Sequence, residues 1–168
     1  MPNWTRTFVR YVDILNYRVG RFAMYLLFAL MAVMLWSSFA RTALTPTIWT
    51  DEMGQFLMVG YFMLGGAYAI QMDSAVRMDL LYSRWSDRTK ALVDVVTIFA
   101  LLFYLCVLLY GGIESTAYAI EYGEQRRGLW RPYMWPIKVV MCIGITLMIL
   151  QFIAILFRDI AKLRGEEL

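Results

Sequence analysis

Four stretches of this chain contain no Asp, Glu, Lys or Arg, and each is long enough to cross a membrane. They cover residues 22–40, 53–72, 95–113 and 139–157. A helix rises 1.5 Å per residue, so about 20 residues span the roughly 30 Å of hydrocarbon in a bilayer. None of the four alternates as a membrane β-strand does, and only helices or closed barrels satisfy their backbone hydrogen bonds in lipid. The stretches therefore predict an all-α membrane protein with four transmembrane helices.

The composition agrees with this class and excludes several kinds of chemistry. The 168 residues are 61% hydrophobic and 17% charged, whereas soluble domains average about 45–50% and about 25%. The chain has no His and only two Cys, Cys106 and Cys142, each within an apolar run. His-ligated haem or zinc, His-based proton relays and a disulfide framework are therefore excluded. We expect no cofactor, no metal and no catalytic residue, and the net charge of +3 does not indicate a nucleic-acid partner.

The distribution of Lys and Arg predicts that both termini are cytoplasmic. Positive residues accumulate on the cytoplasmic side of membrane proteins. With both termini inside, eleven Lys and Arg lie inside and five lie outside, and the opposite orientation reverses this ratio. We expect residues 1–168 to form a single four-helix membrane domain.

Residues 1–21, before the first stretch, predict an amphipathic helix at the cytoplasmic interface. Apolar side chains recur there every three or four positions, whereas Arg and Asp occupy the other face. Such a helix lies along the membrane surface, with its apolar face among the acyl chains and Arg near anionic head groups. We therefore predict an N-terminal interfacial helix that binds phospholipids. Its apolar face consists of Trp4, Phe8, Tyr11, Val12, Leu15 and Val19.

Within the stretches, small and polar side chains indicate helix packing. Gly65 and Gly66 belong to a small-residue patch that lets another helix approach closely, either from this chain or from a partner. Gln151 is the deepest of the large polar side chains. It has two interpretations, an interhelical hydrogen bond or a substrate contact, and the sequence leaves both open.

Two acids, Asp51 and Glu52, precede the second stretch. Acidic side chains in a first turn complement the helix dipole, and we expect Thr50 to be the N-cap residue of this helix. The alternative interpretation is that the two acids contact an ion or a partner protein.

Several motifs in and around the second and fourth helices resemble those of one transporter family. They are Ile-Trp-Thr-Asp-Glu-Met at 48–53, Leu-Gly-Gly-Ala-Tyr-Ala at 64–69, Val-Arg-Met-Asp-Leu-Leu-Tyr at 76–82 and Tyr-Met-Trp-Pro-Ile-Lys at 133–138. The first run places Trp49 before the two acids, and the third contains Arg77 and Asp79. The ordered set resembles the small, DctQ-like membrane subunit of tripartite ATP-independent periplasmic (TRAP) transporters. In many members a His precedes the Val-Arg-x-Asp segment, whereas this chain has Ala75.

The resemblance implies a subunit of a secondary active transporter in the bacterial inner membrane. In that family a large multi-span permease subunit of the elevator type carries the substrate and sodium sites, and a periplasmic substrate-binding protein delivers an organic acid. The small subunit braces the stationary part of the permease. The structural or partner contacts that we expect are Trp49, Asp51, Glu52, Gly65, Gly66, Arg77, Asp79 and Gln151.

Two other functions are compatible with the residues alone. The chain could be an accessory or assembly subunit of a different inner-membrane complex. It could also be a small transporter that assembles with copies of itself, with a pore lined by its few Gln, Thr, Ser and Tyr side chains. Neither alternative is an enzyme.

Overall fold

The computed structural model describes residues 3–43, 45, 47–72, 87–128 and 130–163. Within these residues the chain forms four α-helices, and each is long and apolar enough to cross a membrane. They are α1 (Asn3–Ala43), α2 (Trp49–Gln71), α3 (Asp87–Glu121) and α4 (Trp135–Leu163). Each helix carries one of the predicted stretches, the second of which ends at Met72, one residue past α2. The predicted all-α, four-helix architecture is confirmed. Arg77 and Asp79 lie outside the described residues.

Helix α1 is far longer than its predicted span. Its 41 residues run without a break from the amphipathic segment into the stretch at 22–40, a length of about 60 Å. Gly20, at the junction, leaves room for Tyr68 of α2 to pack closely against α1. A Cβ on Gly20 would lie 2.3 Å from the ring of Tyr68. The amphipathic segment is therefore the first part of one continuous helix.

The four helices are arranged around α4, which contacts each of the other three. Helices α1 and α2 form an antiparallel pair joined by a short connection, and α3 packs against α4. We call the end of the bundle where α1 ends and α2 begins the Asp51 end. The opposite end, near the start of α1, is the Asp13 end.

The connection between α3 and α4 is a compact turn at the Asp51 end. Gly123 adopts φ 58°, and the amide of Glu124 donates to the carbonyl of Ala119 at 3.0 Å, which together close the last turn of α3. An isolated β-bridge then joins Gln125 to Tyr133 and forms a small hairpin. Lys138 of α4 holds this hairpin, because its Nζ lies 2.5 Å from Glu124 Oε2.

Candidate partner-contact sites

The exposed part of the Asp51 end carries an ion pair between α1 and α2. Arg41 donates to the carboxylate of Asp51, and both side chains are more than half exposed. Trp49, the first residue of α2, is also exposed. Exposed ion pairs contribute about 0–1 kcal/mol, so this pair does little to hold the helices together. These side chains are accessible to a partner.

Thr50 does not cap α2 as we expected. The helix begins at Trp49, and Ile48 occupies the N-cap position without a side-chain hydrogen bond. Thr50 instead lies inside the first turn, fully buried against α1, and its hydroxyl donates to Ser37 Oγ at 3.1 Å. The prediction was wrong because the hydroxyl is used to join two helices, which local sequence does not reveal.

Glu52 joins α2 to the α3–α4 hairpin. Its side chain is 13% exposed, and its carboxylate lies 3.9 Å from Nε of Arg126. A Cβ on Gly128 would lie 2.7 Å from Glu52 Oε1, so glycine at position 128 lets the hairpin and this carboxylate approach closely without displacing the Glu52 side chain. Oε2 of Glu52 is buried and has no hydrogen-bond partner among the described residues. Glu52 therefore faces its own chain, whereas Asp51 faces outward.

The Asp13 end contains a polar network between α1 and α4. Asn16 Nδ2 donates to Gln151 Oε1 at 2.5 Å, and both side chains are essentially inaccessible to solvent. Gln151 Nε2 lies 3.4 Å from Asp13 Oδ1, and Asp13 also forms an ion pair with Arg158. Gln71 of α2 donates to the backbone carbonyl of Asp13 at 3.1 Å. Three helices thus meet at one cluster of hydrogen bonds.

Apolar side chains extend this cluster along α1. Val9 and Val12 pack against Ala154 of α4. Phe157 of α4 meets the rings of Trp4 and Phe8 edge to face, with centroids 6.1 and 6.2 Å apart. Part of the face that we expected among acyl chains is therefore covered by α4. Trp4, Tyr11 and Leu15 of the same segment remain exposed.

Glycines let the helices cross within this chain. A Cβ on Gly66 would lie 2.1 Å from the Met148 side chain of α4, whereas one on Gly65 would make an ordinary 3.9 Å contact with Ala23 of α1. The tightest approach to a backbone is at Gly144, where a Cβ would lie 2.7 Å from the carbonyl oxygen of Met63. The neighbours of Gly65 and Gly66 thus belong to the subunit itself.

Sequence reasoning missed Asn16, Asp13 and Arg158 as members of one network. Asp13 was assigned to the polar face of an interfacial helix, and Asn16 was not singled out. Asp13 and Asn16 are one helical turn apart, on the side of α1 that carries the buried Val9 and Val12, and this polar pair next to apolar positions was the available signal. Within the described residues, no group of three or more His, Cys, Asp or Glu could hold a metal ion.

The fold and these contacts define a small multi-pass membrane protein whose buried in-span polar side chains, Ser37 and Gln151, bond to its own helices. The family model of the tripartite ATP-independent periplasmic transporters, DctQ component, matches residues 6–162. The chain belongs to this family and is a small component of a TRAP transporter, a tripartite system with a large permease and a periplasmic binding protein. No curated protein and no solved structure matches the chain.

Proposed function

We propose that this chain is the non-transporting subunit that braces a large elevator-type permease during sodium-coupled uptake of an organic acid. The periplasmic binding protein delivers the acid to the permease. The observation that carries this proposal is the position of Gln151, which is fully buried and bonded to Asn16 of the same chain. A side chain used in this way does not line an open path for a substrate. Of its two interpretations, the interhelical hydrogen bond is therefore favoured.

Broad apolar faces support a role in the membrane scaffold. Large apolar side chains of α1 and α3 are exposed along the whole predicted spans, and this surface must meet lipid or another transmembrane helix. They include Phe22, Phe28, Leu35, Phe39, Phe99, Phe103, Val107 and Tyr110. A brace needs both kinds of contact, because it joins the permease on one side and the bilayer on the other.

We place both termini in the cytoplasm, with the first part of α1 at the inner interface. The Lys and Arg count supports this orientation. Thr45→Cys, in a chain with Cys106 and Cys142 replaced by Ala, should react with a membrane-impermeant thiol reagent from the periplasm. Asp87→Cys should be shielded from that side. Labelling of position 45 from the cytoplasm alone would contradict the orientation.

The outward-facing residues of the Asp51 end, Trp49 and Asp51, are proposed contacts with a partner. Arg77 and Asp79 of the following connection are proposed contacts on the cytoplasmic side. A photo-crosslinking amino acid at Phe28 of α1 or at Phe103 of α3 should identify which apolar face meets the permease. If neither position nor its neighbours on the same face captures the permease, the bracing role is wrong.

Reconstitution tests the function directly. Proteoliposomes that contain the permease and this chain, supplied with the binding protein and a sodium gradient, should take up substrate. Vesicles that lack either membrane subunit should not. Gln151→Leu should leave substrate selectivity and sodium stoichiometry unchanged in the fraction of complexes that assemble. A changed selectivity, or uptake by this chain alone, would show that the chain itself transports.

A further inference from the structure

The four charge-free stretches lie at different heights in the bundle. Three polar contacts reveal this, because each joins a residue inside the stretch of one helix to a residue outside the stretch of its neighbour. The contacts are Ser37 with Thr50, Cys142 with Thr116, and Gln151 with Asn16.

Two of these contacts lie at or near the Asp51 end. Thr50 Oγ1 lies 3.1 Å from Ser37 Oγ, and Ser37 is inside the stretch of α1 whereas Thr50 precedes that of α2. The stretch of α1 therefore extends further toward this end than the stretch of α2. Thr116 Oγ1 lies 3.5 Å from Cys142 Sγ. Cys142 is inside the stretch of α4, whereas Thr116 lies three residues beyond the end of the stretch of α3. The stretch of α4 thus extends further in this direction than that of α3.

At the Asp13 end it is the other member of each helix pair whose stretch extends further. This is expected if whole stretches are shifted along the bundle relative to one another. Gln151 is inside the stretch of α4, whereas its partner Asn16 is outside that of α1. The rings of Tyr17 and Tyr68 are 6.0 Å apart, and only Tyr68 lies inside its stretch. Both α2 and α4 therefore extend further toward this end than α1 does.

All of these offsets have the same direction. In the order α1, α2, α4, α3, each stretch lies further toward the Asp13 end than the one before it. The Gln151–Asn16 contact offsets the stretch of α4 from that of α1 by 12 residues. The Cys142–Thr116 contact offsets α3 from α4 by a further six, so the shift from α1 to α3 is about 27 Å at 1.5 Å per residue. We infer that the bilayer crosses this bundle obliquely, so that the helix axes are tilted from the membrane normal. One flat hydrocarbon layer then contains all four stretches, which an upright bundle cannot achieve.

The tilt determines which parts of the chain leave the membrane. Residues 114–121 of α3, with the hairpin that follows, emerge at the Asp51 end. The first 21 residues of α1 emerge at the diagonally opposite corner and still pack beside membrane-embedded α4. A tilted stretch of 20 residues covers less than its length of about 30 Å along the membrane normal, so flanking Arg and Lys side chains snorkel or the bilayer thins locally.

A pair of exposed alanines tests the inference. A Cβ on Gly60 would lie 3.7 Å from Leu26 of α1 and 3.9 Å from Val140 of α4, so these two residues are at similar heights in the bundle, and Val140 lies close to the level of Thr116. Ala29 is consequently at least as near the Asp51 end as Ala117. An upright bundle makes Ala29→Cys as accessible as Ala117→Cys, whereas the oblique bundle exposes only position 117 to water.

The experiment uses the full chain in inner-membrane vesicles of both orientations, with Cys106 and Cys142 replaced by Ala. Ala117→Cys should react with an impermeant maleimide at least roughly tenfold faster than Ala29→Cys, because the reactive thiolate forms in water. Equal rates, or a faster reaction at position 29, would overturn the inference. If the termini are outside, position 117 reacts from the opposite face but the difference remains, so a wrong orientation is recognisable.

A second pair examines the other end. Tyr11 of α1 and Phe99 of α3 are both exposed, and Phe99 is at least as far toward the Asp13 end as Tyr11. Tyr11→Cys should react faster than Phe99→Cys, because only position 11 lies outside its stretch. The reverse order would contradict the oblique arrangement.

Discussion

The Asp13 end and the Asp51 end each join two helices through an Asp–Arg ion pair, but only one pair is largely sheltered. The side chains of Asp13 and Arg158 are 21% and 38% exposed, whereas those of Asp51 and Arg41 are 57% and 55% exposed. The first pair also adjoins the buried amides of Asn16 and Gln151. The second pair has water as an alternative partner.

This difference separates the contacts that hold the subunit together from those that are free to change. A buried polar group that loses its partner within the protein is costly, because lipid and packed side chains offer it no other partner. An exposed group exchanges its protein partner for water at little cost. The Asp13 end therefore stabilises the three-helix junction, whereas Asp51 and Trp49 can contact another subunit without weakening the fold.

Gly144, where α2 and α4 cross between the two ends of the bundle, should be the position at which a substitution lowers stability most. Gly144→Leu would drive a side chain into the backbone of Met63 and should cost about 3 kcal/mol or more of stability. The midpoint of unfolding by SDS in mixed micelles measures the loss. Gly111→Leu is the matched control, because a Cβ there meets nothing within 4 Å among the residues that the structure describes. Equal destabilisation by both variants would mean that α2 and α4 do not cross at Gly144.

A pair of Gln→Leu variants compares the two ends directly. Gln151→Leu removes the acceptor for Asn16 and leaves a buried donor unpaired, which should cost about 1–3 kcal/mol. Gln55→Leu, at an exposed position near the Asp51 end, should change stability by less than about 0.5 kcal/mol. The same SDS titration measures both. Adding Asn16→Leu to Gln151→Leu should recover part of the loss, and a further loss would contradict the direct bond.

Double-mutant cycles on the two ion pairs should give a smaller difference in free energy between the two ends. The coupling between Asp13 and Arg158 should be about 1 kcal/mol, because both side chains are partly sheltered. The coupling between Asp51 and Arg41 should be within about 0.5 kcal/mol of zero. Alanine substitutions singly and together supply the cycles. A stronger coupling at the Asp51 end would reverse our comparison.

A comparably small effect should be seen at the hairpin. Gly128→Ala places a Cβ against the Glu52 carboxylate and should cost about 1 kcal/mol by displacing a side chain that can move. In a Glu52→Ala chain the same substitution should be nearly neutral, because the space is then open. Unfolding midpoints of the two single variants and the double variant test this. An equal cost in both backgrounds would mean that residue 128 needs glycine for another reason.

The number of apolar helices and their approximate positions along the chain were determined by the sequence alone, whereas their full lengths were not. Lipid offers no hydrogen-bond partner to the backbone, so a charge-free stretch of about 20 residues has to be helical whatever surrounds it. The family was also recognisable, because its motifs occur in order along the chain, from Trp49 to Gln151. Both conclusions depend on local composition and order.

Tertiary structure alone decided which helices meet and at what height. Gln151 was recognisable from sequence as a candidate for an interhelical hydrogen bond or a substrate contact, but its partner Asn16 lies 135 positions away, on a segment that the sequence predicted as an interfacial helix. Gly144 resembles any other glycine in an apolar run, yet it meets a backbone, whereas Gly65 in its small-residue motif makes an ordinary contact. Hydropathy constrains each helix along its own axis and carries no information on its register against another helix. That register is set by side-chain packing across the bundle, which is why the oblique position of the stretches emerges only when the four helices are assembled.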